Sequence, residues 1–208
     1  MRSIKSFSRG VAKYKPSPTT LIVCEDSRSG KTYLEDAAHF FRVDAKVLVA
    51  HCGYTNPSGI VDFAISKLSK FDRVYCVIDR DEHPCFNKAL VTAAQHPKIT
   101  MIKSYPCFEF WLLLHFGYSR KPFSRTGKFS AGDNVGRELR THQLMDRYDK
   151  GASQGVFNTL LGKPFEDAQR FAPRVLLDAE SSQAPNPSTE LHLLIDDLKK
   201  LGGLQPVD

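Results

Sequence analysis

The sequence predicts an α/β fold: a mainly parallel, four-stranded sheet followed by a helical C-terminal extension. Three observations carry this. Short, β-branched apolar runs alternate with segments whose apolar residues recur at helical spacing. The runs are apolar almost throughout, which marks strands covered on both faces rather than one. Beyond Tyr118 the strand-like runs stop and only helical spacing continues.

The first run is Thr20–Cys24 (TLIVC), followed by helical spacing over Lys31–Phe41. The second strand is Lys46–Ala50, after which Ile60, Phe63, Ala64 and Leu68 share one face of a helix over Pro57–Leu68. Arg73–Ile78 is the third strand, Asn87–Gln95 a short helix and Ile99–Ile102 the fourth strand. Phe108–Phe116 (FEFWLLLHF) is too long and too continuously apolar for a half-exposed strand and reads as a buried helix, with Trp111 in the core. Ser119–Asn134 is basic and rich in Ser and Gly, as expected of a surface loop. Val135–Tyr148 and Phe165–Glu180 read as helices, the second interrupted at Pro173. A last helix is expected with Asn186 as its cap, Pro187 at its first position, and Leu191, Leu194, Ile195, Leu198 and Leu201 on one face before Gly202-Gly203.

Composition is that of a packed globular chain, with 41% hydrophobic and 25% charged residues. The formal charge of +6 favours an anionic partner. Arg2, Lys5, Arg9, Lys13 and Lys15 precede the first strand without an acid among them, and residues 1–18 read as a flexible basic arm. No apolar run is long enough to span a bilayer, and the N-terminus lacks the apolar stretch of a signal peptide. The five cysteines are odd in number and never spaced as CxxC. That argues against a disulfide scaffold and for a reducing cytoplasm. His51-Cys52 and His83-Pro84-Cys85 lack the paired spacing of a zinc site.

In sheets of this kind ligands collect at the carboxyl ends of the strands. Those exits carry acids: Glu25-Asp26 after the first strand and Asp79-Arg80-Asp81-Glu82 after the third, with Glu109 beyond the fourth. Carboxylates at neighbouring exits repel one another, and a hard divalent cation such as magnesium or manganese removes that penalty. In an extended Asp79-Arg80-Asp81 both aspartates face one way and Arg80 the other. Gly30-Lys31-Thr32 has the form of a P-loop ending, but Glu25 stands where that loop requires its first glycine. A carboxylate there puts negative charge where phosphate should lie, so Ser29-Gly30-Lys31-Thr32 is expected to start a helix, with Lys31 near the acids.

A strand-terminal Glu followed two strands later by Asp-x-Asp resembles the Toprim domain. The stretches LIVCEDSRSGKTYL, FDRVYCVIDRDEH, SYPCFEFWLLLHF and NPSTELHLLIDDL, spread along residues 20–201, resemble the RloB family of bacterial Toprim-like proteins. Such sequences commonly carry Cys-Glu-Gly, where this chain has Asp26 after the glutamate. The resemblance implies a Rossmann-like Toprim catalytic core over residues 19–118, with residues 119–208 as a basic loop and helices packing on it. It implies magnesium- or manganese-dependent hydrolysis of phosphodiester bonds and a role in bacterial antiphage defence. Asp79 and Asp81 match the metal-binding acids, Glu25 matches the glutamate that serves as acid/base or ligand, and Glu109 is either a further ligand or a paired, buried helix carboxylate.

Cations that could steady the reaction's developing charge are Lys31, Arg80, Lys103 and Lys150. Arg120, Lys121, Arg125 and Lys128, interleaved with Phe123 and Phe129, are the candidates for gripping a DNA or RNA backbone and stacking its bases. The competing reading is a regulatory subunit that binds a metal and a nucleotide or nucleic acid without cutting, and works with a partner ATPase. An aspartyl-phosphate phosphatase would carry its nucleophile on the first strand rather than the third.

Overall fold

A computed structural model of the chain describes residues 19–80, 83–152 and 154–203. The basic arm, Asp81 and Glu82 all lie outside the described residues.

Five strands form one sheet in the order β2-β1-β3-β4-β5. They are β1 (Thr20–Cys24), β2 (Val47–His51), β3 (Arg73–Asp79), β4 (Ile99–Tyr105) and β5 (Ser188–Thr189). The first four are mutually parallel, and β5 adds to β4 antiparallel. The sheet is thus mainly parallel as expected, but it has five strands rather than four. The connections are α1 (Ser29–Phe40), α2 (Pro57–Lys67) and α3 (Phe86–Ala94).

Alternate residues of the strands feed two cores. Leu21, Val23, Val74, Cys76 and Ile78 pack with α2 and α3 on one face. Ile22, Cys24, Tyr75, Val77 and Ile102 pack on the other face with α1 and the later helices α4 (Glu109–Leu113), α7 (Lys163–Ser181) and α8 (Leu191–Leu201). Between α4 and α7 lie α5 (Ala131–Leu139) and the short α6 (Val156–Thr159). Burial on both faces is why β1 and β3 read as continuous apolar runs; β2 and β4 are only partly buried.

Four expectations for the C-terminal half are corrected. The surface loop ends at Ser130, which caps α5 reciprocally with Asp133, so the helix starts earlier than Val135 and stops at Leu139. Phe108–Phe116 contains only the five-residue α4, though Phe108 to Leu114 are all buried as expected. Pro173 does not interrupt α7, because it lies on the exposed face while Phe165, Ala168, Ala172, Val175 and Ala179 keep an unbroken buried stripe. Asn186 does not cap the last helix. Its side chain accepts from the Phe123 N–H (3.2 Å) and donates to the Phe123 carbonyl (2.6 Å), β5 intervenes, and α8 starts at Leu191.

Candidate functional site

The connections from β1 to β2 and from β2 to β3 wind in opposite directions, so a crevice opens at the carboxyl ends of β1 and β3. Glu25 and Asp79 stand on those two exits. Their strands are in register to the last pair, Cys24 opposite Val77, and the Glu25 N–H donates to the Val77 carbonyl (3.1 Å). The Glu25 carboxylate then turns across to accept the Asp79 backbone N–H on Oε2 (2.8 Å). Its other oxygen, Oε1, lies 3.6 Å from His83 Nε2. Both acids line an open cleft of about 450 Å³, together with His51, Thr55, His83 and Lys150.

Glu109 lies behind this wall and is fully buried. Its Oε1 accepts from Tyr148 Oη (3.0 Å) and Ser29 Oγ (3.4 Å) and pairs with Lys150 Nζ at 3.1 Å. Its Oε2 is buried with no hydrogen-bond partner among the described residues. Glu109 is therefore paired on one oxygen and orphaned on the other. Burial, then Glu109 and Glu25, push the Asp79 carboxyl well above the usual carboxylate range. Burial pulls the Lys150 ammonium down, but Glu109, Cys107 and Asp79 outweigh it and hold Lys150 above its ordinary value. Burial and Glu109 likewise raise the Tyr148 phenol.

Asp26 has a different task. Oδ1 accepts the N–H groups of Arg28 (2.7 Å) and Ser29 (2.5 Å), and Oδ2 accepts that of Gly30 (3.0 Å). The amides that a P-loop would turn to phosphate are thus consumed by a carboxylate of the chain itself. The start of α1 is a capped helix end.

The other predicted cations are mostly elsewhere. Lys31 does not reach the acids; it pairs with Glu35 one turn along α1 (2.5 Å). Lys103 is held by Glu190, through Nζ at 2.8 Å and its backbone N–H at 2.9 Å. Arg80 faces α3, its guanidinium 4.5 Å from the Phe86 ring centre, and is not among the residues lining the cleft. Arg120 donates to the carbonyls of Pro187 and Ala184 and to Ser182 Oγ, tying the loop to the segment before β5. Lys121 pairs with Glu138 (2.6 Å), and Arg125 lies close enough to Asp133 to favour its charged form. Lys128 and Arg137 both lie on the Phe129 ring, while Phe123 is buried against Phe110. In the structure Phe123 is thus packed inside the protein and Phe129 carries two cations. Lys150 alone of the predicted cations lines the cleft.

Sequence reasoning weighed His51 and His83 only as zinc ligands and placed neither of them, nor Tyr148, at this site. His51 ends β2 at the same edge as the acids, and its Nδ1 lies 3.2 Å from the Cys24 carbonyl. Searching strand exits for any titratable side chain, not for carboxylates alone, would have found it. Tyr148 carries no signal of its own in the sequence.

Among the described residues no group of three or more His, Cys, Asp or Glu is arranged to hold a metal. Asp81, the second aspartate of the predicted set, is outside those residues. What is present nonetheless suits a hard cation: two carboxylates on adjacent exits, a third behind them with an orphaned oxygen, and a strongly raised Asp79.

Fold and site define an α/β protein with a carboxylate-walled cleft at the switch point of its sheet. The model of the RloB-like protein family matches residues 20–198, and the chain belongs to that family. No curated protein and no solved structure gives a significant match. No helix among the described residues is long and apolar enough to cross a membrane.

Proposed function

We propose that the protein is a Toprim-type nuclease that hydrolyses phosphodiester bonds in nucleic acid with magnesium or manganese. The observation that carries this is the gathering of Glu25 and Asp79 at one cleft with Glu109 buried behind them, where Glu109 Oε2 has no hydrogen-bond partner among the described residues and burial with the neighbouring acids raises the Asp79 carboxyl. The Rossmann-like Toprim identity of the core is supported by the sheet order and by the placement of Glu25 and Asp79 at its switch point. A role in antiphage defence rests on the resemblance to RloB alone.

In this reading Asp79 and Glu25 would hold the ion, Glu109 would complete or back the set, and Asp81 belongs to it only by the resemblance. A divalent ion there would supply Lewis acidity toward the phosphate and lower the pKa of an attacking water. Glu25 is oriented by the Asp79 N–H on Oε2 and faces His83 Nε2 with Oε1 at 3.6 Å, which places its carboxylate at the cleft for proton exchange. Lys150 brings positive charge to the cleft and steadies the additional negative charge of a pentavalent phosphate.

One observation favours the non-cutting alternative, a metal- and nucleic-acid-binding subunit for a partner ATPase. Lys150 already neutralises part of Glu109, so the site is partly compensated by the protein itself. Cleavage assays on single- and double-stranded DNA and on RNA, with magnesium, manganese or EDTA, separate the two readings. Metal-dependent cutting that is lost in Asp79→Ala and Glu25→Ala establishes the nuclease. Metal binding that depends on Asp79, with no cutting of any substrate, establishes the subunit.

A further inference from the structure

The exit of β2 brings a third titratable side chain to the edge that holds Glu25 and Asp79. His51 is the last residue of β2 and stands opposite Cys24 in the parallel register, one residue before Glu25 on β1. It is half-buried and lines the acidic cleft together with both acids. Because β1 runs between β2 and β3, His51 and Asp79 belong to strands on opposite flanks of Glu25.

The imidazole is oriented by the main chain. Its Nδ1 lies 3.2 Å from the Cys24 carbonyl, and a carbonyl oxygen can only accept, so the proton of this bond sits on Nδ1. The bond made by one ring nitrogen fixes the role of the other. His83 faces Glu25 at 3.6 Å and Lys150 pairs with Glu109 at 3.1 Å, whereas His51 Nε2 has no hydrogen-bond partner among the described residues. In the protonated ring both nitrogens donate, so Nδ1–H stays on the Cys24 carbonyl and Nε2–H is left for a ligand.

Hydrolysis of a phosphodiester involves two proton transfers on opposite sides of phosphorus, since the attacking and leaving oxygens lie in line. Glu25 can serve one of them. We infer that His51 is a catalytic general acid that protonates the leaving oxygen on the β2 side of the cleft. This rests on the nuclease reading of the cleft. A water oxygen bonds to phosphorus and its proton passes to Glu25. The bond from phosphorus to the leaving oxygen breaks, the electron pair stays on that oxygen, and the proton of His51 Nε2 neutralises it. His51 then regains a proton from solvent, and Glu25 returns its own.

The test compares ordinary DNA and RNA oligonucleotides with versions in which sulfur replaces the 3′- or the 5′-bridging oxygen at one linkage, all in manganese. A thiolate leaves without a proton, so the sulfur substrate does not need the acid. His51→Asn can keep an N–H donor for the Cys24 carbonyl and puts no proton donor at the place of Nε2. It should cut the ordinary substrate about 100-fold more slowly than the parent and the matching sulfur substrate within about 3-fold of it. That rescue also shows that the variant is folded. Glu25→Ala, which acts on the attacking side, should lose both substrates. Equal loss of both in His51→Asn overturns the inference, because it makes the histidine a structural residue. Cleavage of both at the parent rate overturns it as well and leaves the nuclease reading standing. A parent protein that cuts neither substrate removes the two together.

Discussion

Two regions of this chain concentrate charge, and the structure treats them in opposite ways. In the basic loop after Tyr118, Arg120 is spent on main-chain carbonyls and a hydroxyl, Lys121 on Glu138, and Lys128 on the Phe129 ring. In the cleft, two carboxylates stand at adjacent strand exits with a third behind them that pairs with Lys150 through one oxygen, while its other oxygen is buried without a hydrogen-bond partner among the described residues. Ordinary protein interiors pair their buried polar atoms. The difference teaches that a cluster of like charge signals chemistry where the fold leaves it unmatched, and architecture where the fold matches it. Removing a charge should therefore harm activity in the first case and stability in the second.

The largest expected effect lies in the cleft. Asp79→Ala or Glu25→Ala should reduce metal-dependent cleavage by at least ~100-fold, the scale of losing a group that acts directly on a developing charge. Initial rates at saturating substrate check this. A loss below ~10-fold in both variants would place the chemistry elsewhere.

A buried polar group that is matched when neutral provides the next contrast. His115 is buried, with Nδ1 3.0 Å from the Trp111 carbonyl and Nε2 3.4 Å from Tyr33 Oη. Burial lowers its pKa from 6.5 to about 4. The unfolded chain binds the proton first as pH falls, so stability from His115 is complete above about pH 6.5 and is lost toward about pH 4. The loss amounts to at most ~3 kcal/mol. Urea unfolding across that window should show the decline in the parent and a flatter profile in His115→Gln.

On the side of the loop, Arg120→Ala should destabilise by ~2 kcal/mol, since its donors satisfy carbonyls that would be left unpaired. Cleavage per folded molecule should stay within about 2-fold. A large loss of turnover without a loss of stability would return Arg120 to the substrate.

How much was legible follows the same division. The two central strands β1 and β3 were readable because burial on both faces leaves the continuous apolar runs Leu21–Cys24 and Val74–Ile78, while β2 and β4, only partly buried, were readable from their short apolar runs. The fifth was not, because Ser188–Thr189 is two residues long and polar. Its place is set by the Ser104 Oγ–Thr189 Oγ1 hydrogen bond (2.9 Å) and by pairing with β4, both long-range facts. Glu25 and Asp79 were readable because a strand exit fixes where its residue goes. Asp26 shows the limit: the adjacent acid has the same chemistry but caps a helix, and only the direction of its side chain separates the two roles. The partners of the loop cations were illegible for a related reason, since Glu138 and the carbonyls that hold Lys121 and Arg120 are distant in sequence.

A smaller effect tests whether the cleft is unmatched in the protein itself. Asp79→Asn keeps the side-chain shape and the backbone N–H that Glu25 accepts, and removes one charge from beside Glu109 and Glu25. In EDTA it should raise stability by ~1 kcal/mol, against the usual trend of substitutions at buried sites. Magnesium should raise the Tm of the parent and leave that of Asp79→Asn unmoved. A destabilised Asp79→Asn would mean that Lys150 already balances the acids, which is the arrangement the non-cutting reading needs.

The smallest effect is expected at Lys128. Its ammonium lies 5.4 Å from the centre of the Phe129 ring, which Arg137 also covers at 4.5 Å, so one cation remains when the other is removed. An exposed cation–π contact is worth about 0.5–1 kcal/mol, and this one is shared. Lys128→Ala should therefore shift stability by no more than ~0.5 kcal/mol. If the proposed substrate is held at the cleft, it should leave single-strand affinity in EDTA nearly unchanged. Salt titration of oligonucleotide binding makes the sharper measurement: each phosphate contact contributes ~0.7 to the logarithmic slope for a single strand. If Lys128→Ala lowers that slope by about this amount, the loop touches the backbone after all. The contrast between a matched loop and an unmatched cleft would then be one of degree.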